Sequence, residues 1–564
     1  MTSGGSIAFN IATMHMDSCK TTVNGKIYWR HLLRESFREN GKVKHRTVAN
    51  VSHCTPQEIE AMRLALRHKG ELKNLIEKRP SLSSRQGLSV GAVWTVFDLA
   101  RQLGIVEALG DSRAGRLALW QVIARVIDQG SRLSAVRLAC AHAACDALNL
   151  DAFNEEDLYA NLDWLSAQQE AIEKRLFKAH AAKSGLFLYD VTSSYLEGTQ
   201  NELGAFGYNR DGKRGKMQIV IGLLCDEEGD PLSIEVFEGN TSDPKTFVPQ
   251  IHKATERFGS KGVTFVGDRG MIKSAQIEAL GAADLHYITA ITKPQIEGLR
   301  RRDVIQMDLF DQDLAEVCAA GGERYVLRRN PARAQEIERS RASKLAALRK
   351  ELDARNKYLA EHPRAHLDVA LRHARERAEA LAISHWVVVS GDEAQRRLEA
   401  HVDEAARSEA SKLDGCYVLK TDLPREAAAK EIVHDRYKDL ALVEQAFRTS
   451  KTVELEMRPV HVRLAKRTRG HAFVVMLAYR IVRELSRRWK DLDKRVEEGI
   501  KELAHLCAVE ILEKGLPVCC QIPAPRESIR QLLDSARVRL PETLPCRGVI
   551  VSTKRKLPER RLKR

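Results

Sequence analysis

GLFLYDVTSSYL (185–196), GKMQIVIGLLCD (215–226) and DPLSIEVFEGN (230–240) follow one another along the chain. The helical steps of the preceding sequence stop here, and these runs read as strands, the first two rich in residues of the buried type. Asp243-Pro244 then reads as the N-cap and N1 proline of a helix, KTFVPQIHKATERFG. A strand (VTFVGDRG, 263–270), a helix (SAQIEALGA, 274–282) and a strand (HYITAIT, 286–292) complete the series. Three strands, helix, strand, helix, strand predicts an α/β fold built on a mixed sheet with flanking helices.

Towards the N-terminus, 91–183 is helical throughout, with apolar residues at three- and four-residue steps. Before it, KIYWRHLLRESF and GKVKHRTVANVS alternate as strands joined at Glu39-Asn40-Gly41-Lys42, a strong hairpin signal. The charged face of that hairpin (Arg30, Arg34, Arg38, Lys42, Lys44, Arg46) reads equally as a phosphate contact or as a solvated strand face. Residues 56–80 look helical. Beyond Lys293 the order of strands is interrupted by charged, Ala-rich helical sequence over 333–380, broken at Pro363, and by WVVVSG and DGCYVLKTD. An apolar helix from Gly470 to Leu485 and further helices to about 515 follow. The expected segments are therefore a disordered N-terminus (1–22), a β-hairpin and helix (23–90), a helical region (91–183), the first part of the sheet domain (184–295), a largely helical insertion (296–414), the second part (415–485), C-terminal helices (486–550) and a basic disordered tail (551–564).

A chain of 564 residues exceeds one ordinary core. Its 91 Lys and Arg against 76 Asp and Glu give +15, which favours a polyanionic partner. The best apolar run, AFVVMLAYRIV (472–482), is too short to span a bilayer and contains Arg480. No basic segment precedes an apolar one at the start, so no secretory signal is read, and a cytoplasmic location is expected. Eleven scattered cysteines without a CxxC pair suggest reduced thiols, with Cys519–Cys520 as core packing.

The chemistry lies in three places. Asp190 and Asp268 each follow an apolar strand-like run, at sheet edges where open α/β sheets bind ligands. The third is RYKDLALVEQAFRTSKT (436–452), where Glu444 and Lys451 are seven residues apart, nearly two helical turns. Tyr437 lies seven residues before Glu444 and Arg448 four after it, so one stripe carries a hydroxyl, a carboxylate, a guanidinium and an ammonium. The plain alternative is an exposed Glu444–Arg448 pair. Three carboxylates within about 4 Å repel by roughly 4 kcal/mol per pair at an effective dielectric near 20, which a divalent cation relieves. Oxygen-only ligands suit Mg²⁺ or Mn²⁺, and two such ions about 4 Å apart support in-line phosphodiester displacement.

These motifs in this order, YDVTSSYLEG, GAFGYNRDGKRGKMQIVIGLL, EGNTSD, VGDRGM and YKDLALVEQAFRTSKTVELEMRPVHVRLAKRTRGH, resemble a bacterial insertion-sequence transposase of the insertion-sequence-four-like superfamily. The resemblance implies an RNase H-like core with a DDE triad at Asp190, Asp268 and Glu444, holding two Mg²⁺ or Mn²⁺ ions. It implies cleavage at element ends and strand transfer into target DNA, by a homodimer holding two ends near the bacterial nucleoid. The family's Tyr, Glu and Lys signature falls on Tyr437, Glu444 and Lys451, while its arginine position is Leu440 here; Arg448 is expected to substitute in contacting DNA. The 91–183 region is expected to bind the terminal inverted repeats, and Asn240 and Arg269 to support the site. His471 reads as a satisfied core histidine. The competing readings are a noncatalytic DNA-binding regulator and an RNase H-like nuclease without strand transfer.

Overall fold

The computed structural model describes residues 13–23, 26–68, 82–180, 185–210, 212–451, 455–457, 460–513 and 515–553. The disorder expected over 1–12, the helix expected over 69–80 and the tail at 554–564 lie outside the described residues. The chain divides into two compact units, residues 1–87 with 508–522 and 542–546, and residues 88–507 with 523–541 and 547–564.

In the first unit, β1 (Met14–Val23), β2 (Lys26–Glu39) and β3 (Lys42–Asn50) form an antiparallel sheet in that order. Asn40 and Gly41, at φ of 46° and 74°, make the left-handed turn that Asn-Gly favours. β1 begins inside the segment expected to be disordered. Its sequence has little pattern of its own, but it pairs residue by residue with β2, from Met14 opposite Glu35 to Val23 opposite Lys26. A helix, Pro56–Arg67, starts with a capping box between Thr55 and Glu58. β4 (Leu82–Ser89) finds its partners more than 400 residues later, as described below.

The second unit holds an eight-stranded sheet. β5 (Leu186–Tyr195), β6 (Gln218–Cys225) and β7 (Pro231–Glu238) are antiparallel neighbours, and β8 (Thr264–Gly267) and β9 (His286–Ala290) continue from β5 in parallel. This is the RNase H-like mixed sheet. β10 (Ala315–Cys318) and β11 (Arg324–Arg329) come from the expected insertion, yet both join the sheet. The excursion is therefore shorter than 296–414. It comprises the helices Pro331–Glu361 and Leu367–Ala380, a hairpin of β12 (Val387–Asp392) and β13 (Arg397–Val402), and the helix Glu404–Ser411. A separate core of Leu348, Leu352, Leu359, Ala374 and Trp386 supports it. β14 (Cys416–Thr421) returns to the sheet between β11 and β9, giving the order β10-β11-β14-β9-β8-β5-β6-β7.

Strand alternation sets what β5 presents. Phe187, Tyr189 and Val191 enter one core with Phe177, Phe247 and Phe265, whose rings meet edge to face. The even residues Asp190 and Thr192 face the other way. Gly222 is required beside this core: a Cβ there would lie 2.2 Å from the Tyr189 hydroxyl, which donates to the Thr246 carbonyl at 3.1 Å.

The helical region 91–180 is not a separate domain. The helix Ala465–Arg488 is buried nearly all round from Gly470 to Val482 and needs cover on every side. Helices Arg113–Ile127 and Glu155–His180 supply it, and Gly470 sits against the Leu162 carbonyl. Residues Leu117 to Val126 are consequently buried without interruption, which leaves that helix no face for a DNA groove. Ser242, not Asp243, is the N-cap of the helix Asp243–His252.

The region expected to be C-terminal helices also contains strands. Besides the helices Val496–Leu503 and Glu527–Ser535 it holds β15 (Cys507–Glu513), β16 (Leu516–Gln521) and β17 (Thr543–Leu544), in a sheet ordered β17-β16-β15-β4. Cys520 is bonded to Cys546, in contrast to the expected reduced thiol, whereas Cys519 is free. Among the described residues no helix is long and apolar enough to cross a membrane.

Candidate active site

Parallel pairing of β5 with β8 matches Tyr189 to Gly267. Asp190 and Asp268 are the next residues on two neighbouring strands, so they reach the same level of the sheet about 5 Å apart in backbone. Asp190 is half-buried, and Asp268 is exposed just past the end of β8. Each carboxylate accepts a hydrogen bond from the following backbone amide, at 2.7 Å from Val191 and 2.8 Å from Arg269.

Glu444 arrives on a helix laid against β5. The expected single helix is two, Lys430–Lys438 and Leu440–Lys451, interrupted at Asp439. Asp439 keeps helical dihedrals, φ −63° and ψ −13°, so the stripe from Tyr437 to Glu444 survives the break. Among the described residues Glu444 makes no ion pair, and the plain alternative of a Glu444–Arg448 pair is not formed. Asp190, Asp268, Glu444 and Tyr437 line one cavity of about 510 Å³, together with Arg269, Lys293, Asn330, Tyr417 and Lys438. Leu440, at the family's arginine position, also lines it.

The electrostatics follow from burial first and from neighbouring charge second. Burial pushes the Asp190 carboxyl up to about 7; the charges of Asp268 and Glu444 push the same way, against the Val191 amide and the Arg210 guanidinium. Tyr437 donates its hydroxyl to Asp268 Oδ1 at 3.0 Å, and burial beside that carboxylate raises the phenol far above its ordinary value. Among the described residues no three acidic, His or Cys side chains close into a preformed ligand cluster, in keeping with the mutual repulsion of like charges.

Three expected residues stand elsewhere. Lys451 is buried, and its ammonium donates to Thr192 Oγ1 at 2.5 Å, two residues along β5 from Asp190. Arg448 is exposed and is not among the residues lining the cavity. Asn240 lines a second cavity of about 360 Å³ with Arg210, Asp243 and Gly270. There Arg210 pairs with Asp243 at 2.5 Å. His471 is buried against Arg132, and burial lowers its pKa well below the usual range, as befits a core histidine. Arg210, Thr192, Lys293 and Lys438 escaped the sequence reading. Arg210 lies in the NRDGKRG loop, whose cations were visible but not ranked; Lys293 had no signal beyond following a strand.

Residues 181–481 match the family model described as the transposase DDE domain. The chain belongs to the DDE transposases. Residues 18–79 of this transposase match the model described as the IS1634 family transposase N-terminal domain. Eight chains of solved structures match the transposase. One is a piggyBac transposase in a synaptic complex with hairpin DNA, seen by cryo-EM, at 9% identity over 74% of this chain and 69% of that one, with a TM-score of 0.32. Another is the Mos1 transposase in a paired-end complex with the left transposon end, at 9% identity over 28% of this chain and 58% of that one, with a TM-score of 0.14. No curated relative matches in sequence. The transposase acts on DNA by strand cleavage and strand transfer, and its class requires divalent metal ions.

Proposed function

We propose that Asp190, Asp268 and Glu444 are the catalytic carboxylates and that they hold a pair of Mg²⁺ or Mn²⁺ ions. The observation that carries this reading is the paired exit of Asp190 and Asp268 from adjacent parallel strands into a cavity that Glu444 also lines. The donor chemistry fits: three carboxylates line one cavity, and burial beside Asp268 and Glu444 raises the Asp190 carboxyl, a cost that bound cations would relieve. When bound, the ions supply positive charge to the attacking and leaving oxygens of an in-line displacement.

The protein's own groups have separate tasks. Tyr437 fixes the rotamer of Asp268 through its hydroxyl. Lys451 braces β5 at Thr192, and so positions Asp190, instead of holding a phosphate directly. Arg269, Lys293 and Lys438 at the cavity wall, and Arg448 on the exposed helix face, hold DNA phosphates. Asn240, beside the Arg210–Asp243 pair, supports the neighbouring loop. A water first cuts at the element's terminal inverted repeats, and the freed 3′-hydroxyl then attacks target DNA. A homodimer at the bacterial nucleoid holds the two ends.

The test is incubation of the protein with pre-cut element ends and a supercoiled plasmid, with Mg²⁺. Wild type joins the two DNAs, while Glu444→Ala binds the ends but neither cuts nor joins. Cutting without joining supports the nuclease reading instead, and full activity of Glu444→Ala removes Glu444 from the site.

A further inference from the structure

β2 is 14 residues long, but β3 pairs only with its stretch from Leu32 to Glu39. Before Leu32, β1 and β2 continue as a two-stranded ribbon with no third strand among the described residues. The helix Pro56–Arg67 meets β1 at Ser18, where Arg63 donates to the serine hydroxyl at 2.5 Å. Beyond that point residues 19–22 and 27–30 are exposed on both faces of the ribbon. An uncovered two-strand ribbon is marginal in water. This one nevertheless exposes Ile27, Tyr28 and Trp29 by 55%, 56% and 55%.

The cross-strand register sorts these side chains. Lys20 lies opposite Trp29, so they share one face, on which Trp29 also stacks with His31. Tyr28 and Arg30 share the other face, opposite Thr21 and Cys19. Each face thus carries one aromatic ring and one cation. Neither Lys20 nor Arg30 has an ion-pair partner among the described residues. The sequence contains no Asp or Glu from Ser18 to Arg34, in a chain with 76 acidic residues.

We infer that the β1–β2 ribbon is a DNA-binding arm that enters the major groove of duplex DNA at the element end. A two-stranded ribbon fits that groove, and a purely cationic arm complements its phosphate walls. Lys20 and Arg30 contact phosphates on opposite sides of the arm, and Tyr28 and Trp29 pack on sugars and base edges. The inference rests on the transposase reading and moves end recognition from the 91–183 region, whose helix Arg113–Ile127 is buried along most of its length, to the first unit.

The experiment is fluorescence anisotropy on the full chain with a labelled duplex of the element end and an unrelated duplex, across a salt series. Lys20→Ala/Arg30→Ala should weaken end binding about tenfold and flatten the slope of log affinity against log salt by about 1.8, the value for two lost phosphate contacts. Tyr28→Ala/Trp29→Ala should weaken end binding with the slope unchanged, and Arg30→Lys should preserve the slope. Melting temperatures serve as the control, and Lys20→Gln/Arg30→Gln replaces any variant that fails to fold. Unaltered affinity and slope in the charge variants overturn the arm. So does a change confined to oligomeric state, which assigns the ribbon to a second copy of the chain. Loss of DNA binding by wild type itself contradicts the transposase reading, a result distinct from either.

Discussion

Asp190→Asn should make the protein more stable while abolishing its chemistry. The folded carboxyl sits at about 7 against 3.8 for the free group, because it is buried with Asp268 and Glu444 nearby. Each tenfold change in proton affinity corresponds to about 1.4 kcal/mol, so the ionised form costs the fold at most about 4 kcal/mol. Asp190 is half-buried, and solvent screening reduces the expected gain to about 2 kcal/mol. The sign follows from a folded pKa above the unfolded one. Wild-type stability from this group is complete below about pH 4 and is lost as the pH rises through 7. The advantage of the asparagine should therefore grow between pH 4 and 7 and level off above. Thermal unfolding at pH 5, 6, 7 and 8 without divalent ions reads it as a shift of a few degrees, and added Mg²⁺ should raise the wild type alone. An asparagine variant no more stable at pH 8, or a difference that ignores pH, refutes the cost of burying an ionised Asp190 beside Asp268 and Glu444.

Tyr437→Phe removes one hydrogen bond to a charged acceptor, about 1.5–3 kcal/mol, and should slow end cleavage about 10- to 100-fold with end binding intact. Gly222→Ala forces a methyl group to within 2.2 Å of the Tyr189 hydroxyl. It should lower stability by about 1–3 kcal/mol, which Tyr189→Phe partly restores in a denaturant titration. Lys293→Ala and Lys438→Ala should each flatten the salt dependence of DNA binding by about 0.9, whereas Lys451→Met should slow cleavage and leave that slope alone, because its ammonium is buried on Thr192.

The central sheet was legible because β5 and β6 are buried on both faces, and the hairpin of the first unit was legible because Asn40-Gly41 dictates its turn. β10 and β11, of four and six residues, escaped because charged neighbours mask such short runs and their pairing partner lies near 416. The pairing of β4 with β15 spans most of the chain, beyond any local pattern. That Glu444 and Tyr437 share a face was legible from helical spacing, which the interruption at Asp439 did not disturb. The burial of Lys451 was not. Spacing places a side chain on a face, but the strand covering that face comes from distant sequence. The helices of 91–180 misled for the same reason: their apolar stripes require a partner, and that partner is the helix Ala465–Arg488.

The claim that three carboxylates share one divalent site is tested most directly by titrating Mn²⁺ calorimetrically into the DNA-bound protein and into its Asp190→Ala, Asp268→Ala and Glu444→Ala variants. The account predicts that each single substitution weakens or removes the same binding event. A variant that binds Mn²⁺ with wild-type affinity and stoichiometry, while still folded and bound to DNA, contradicts it.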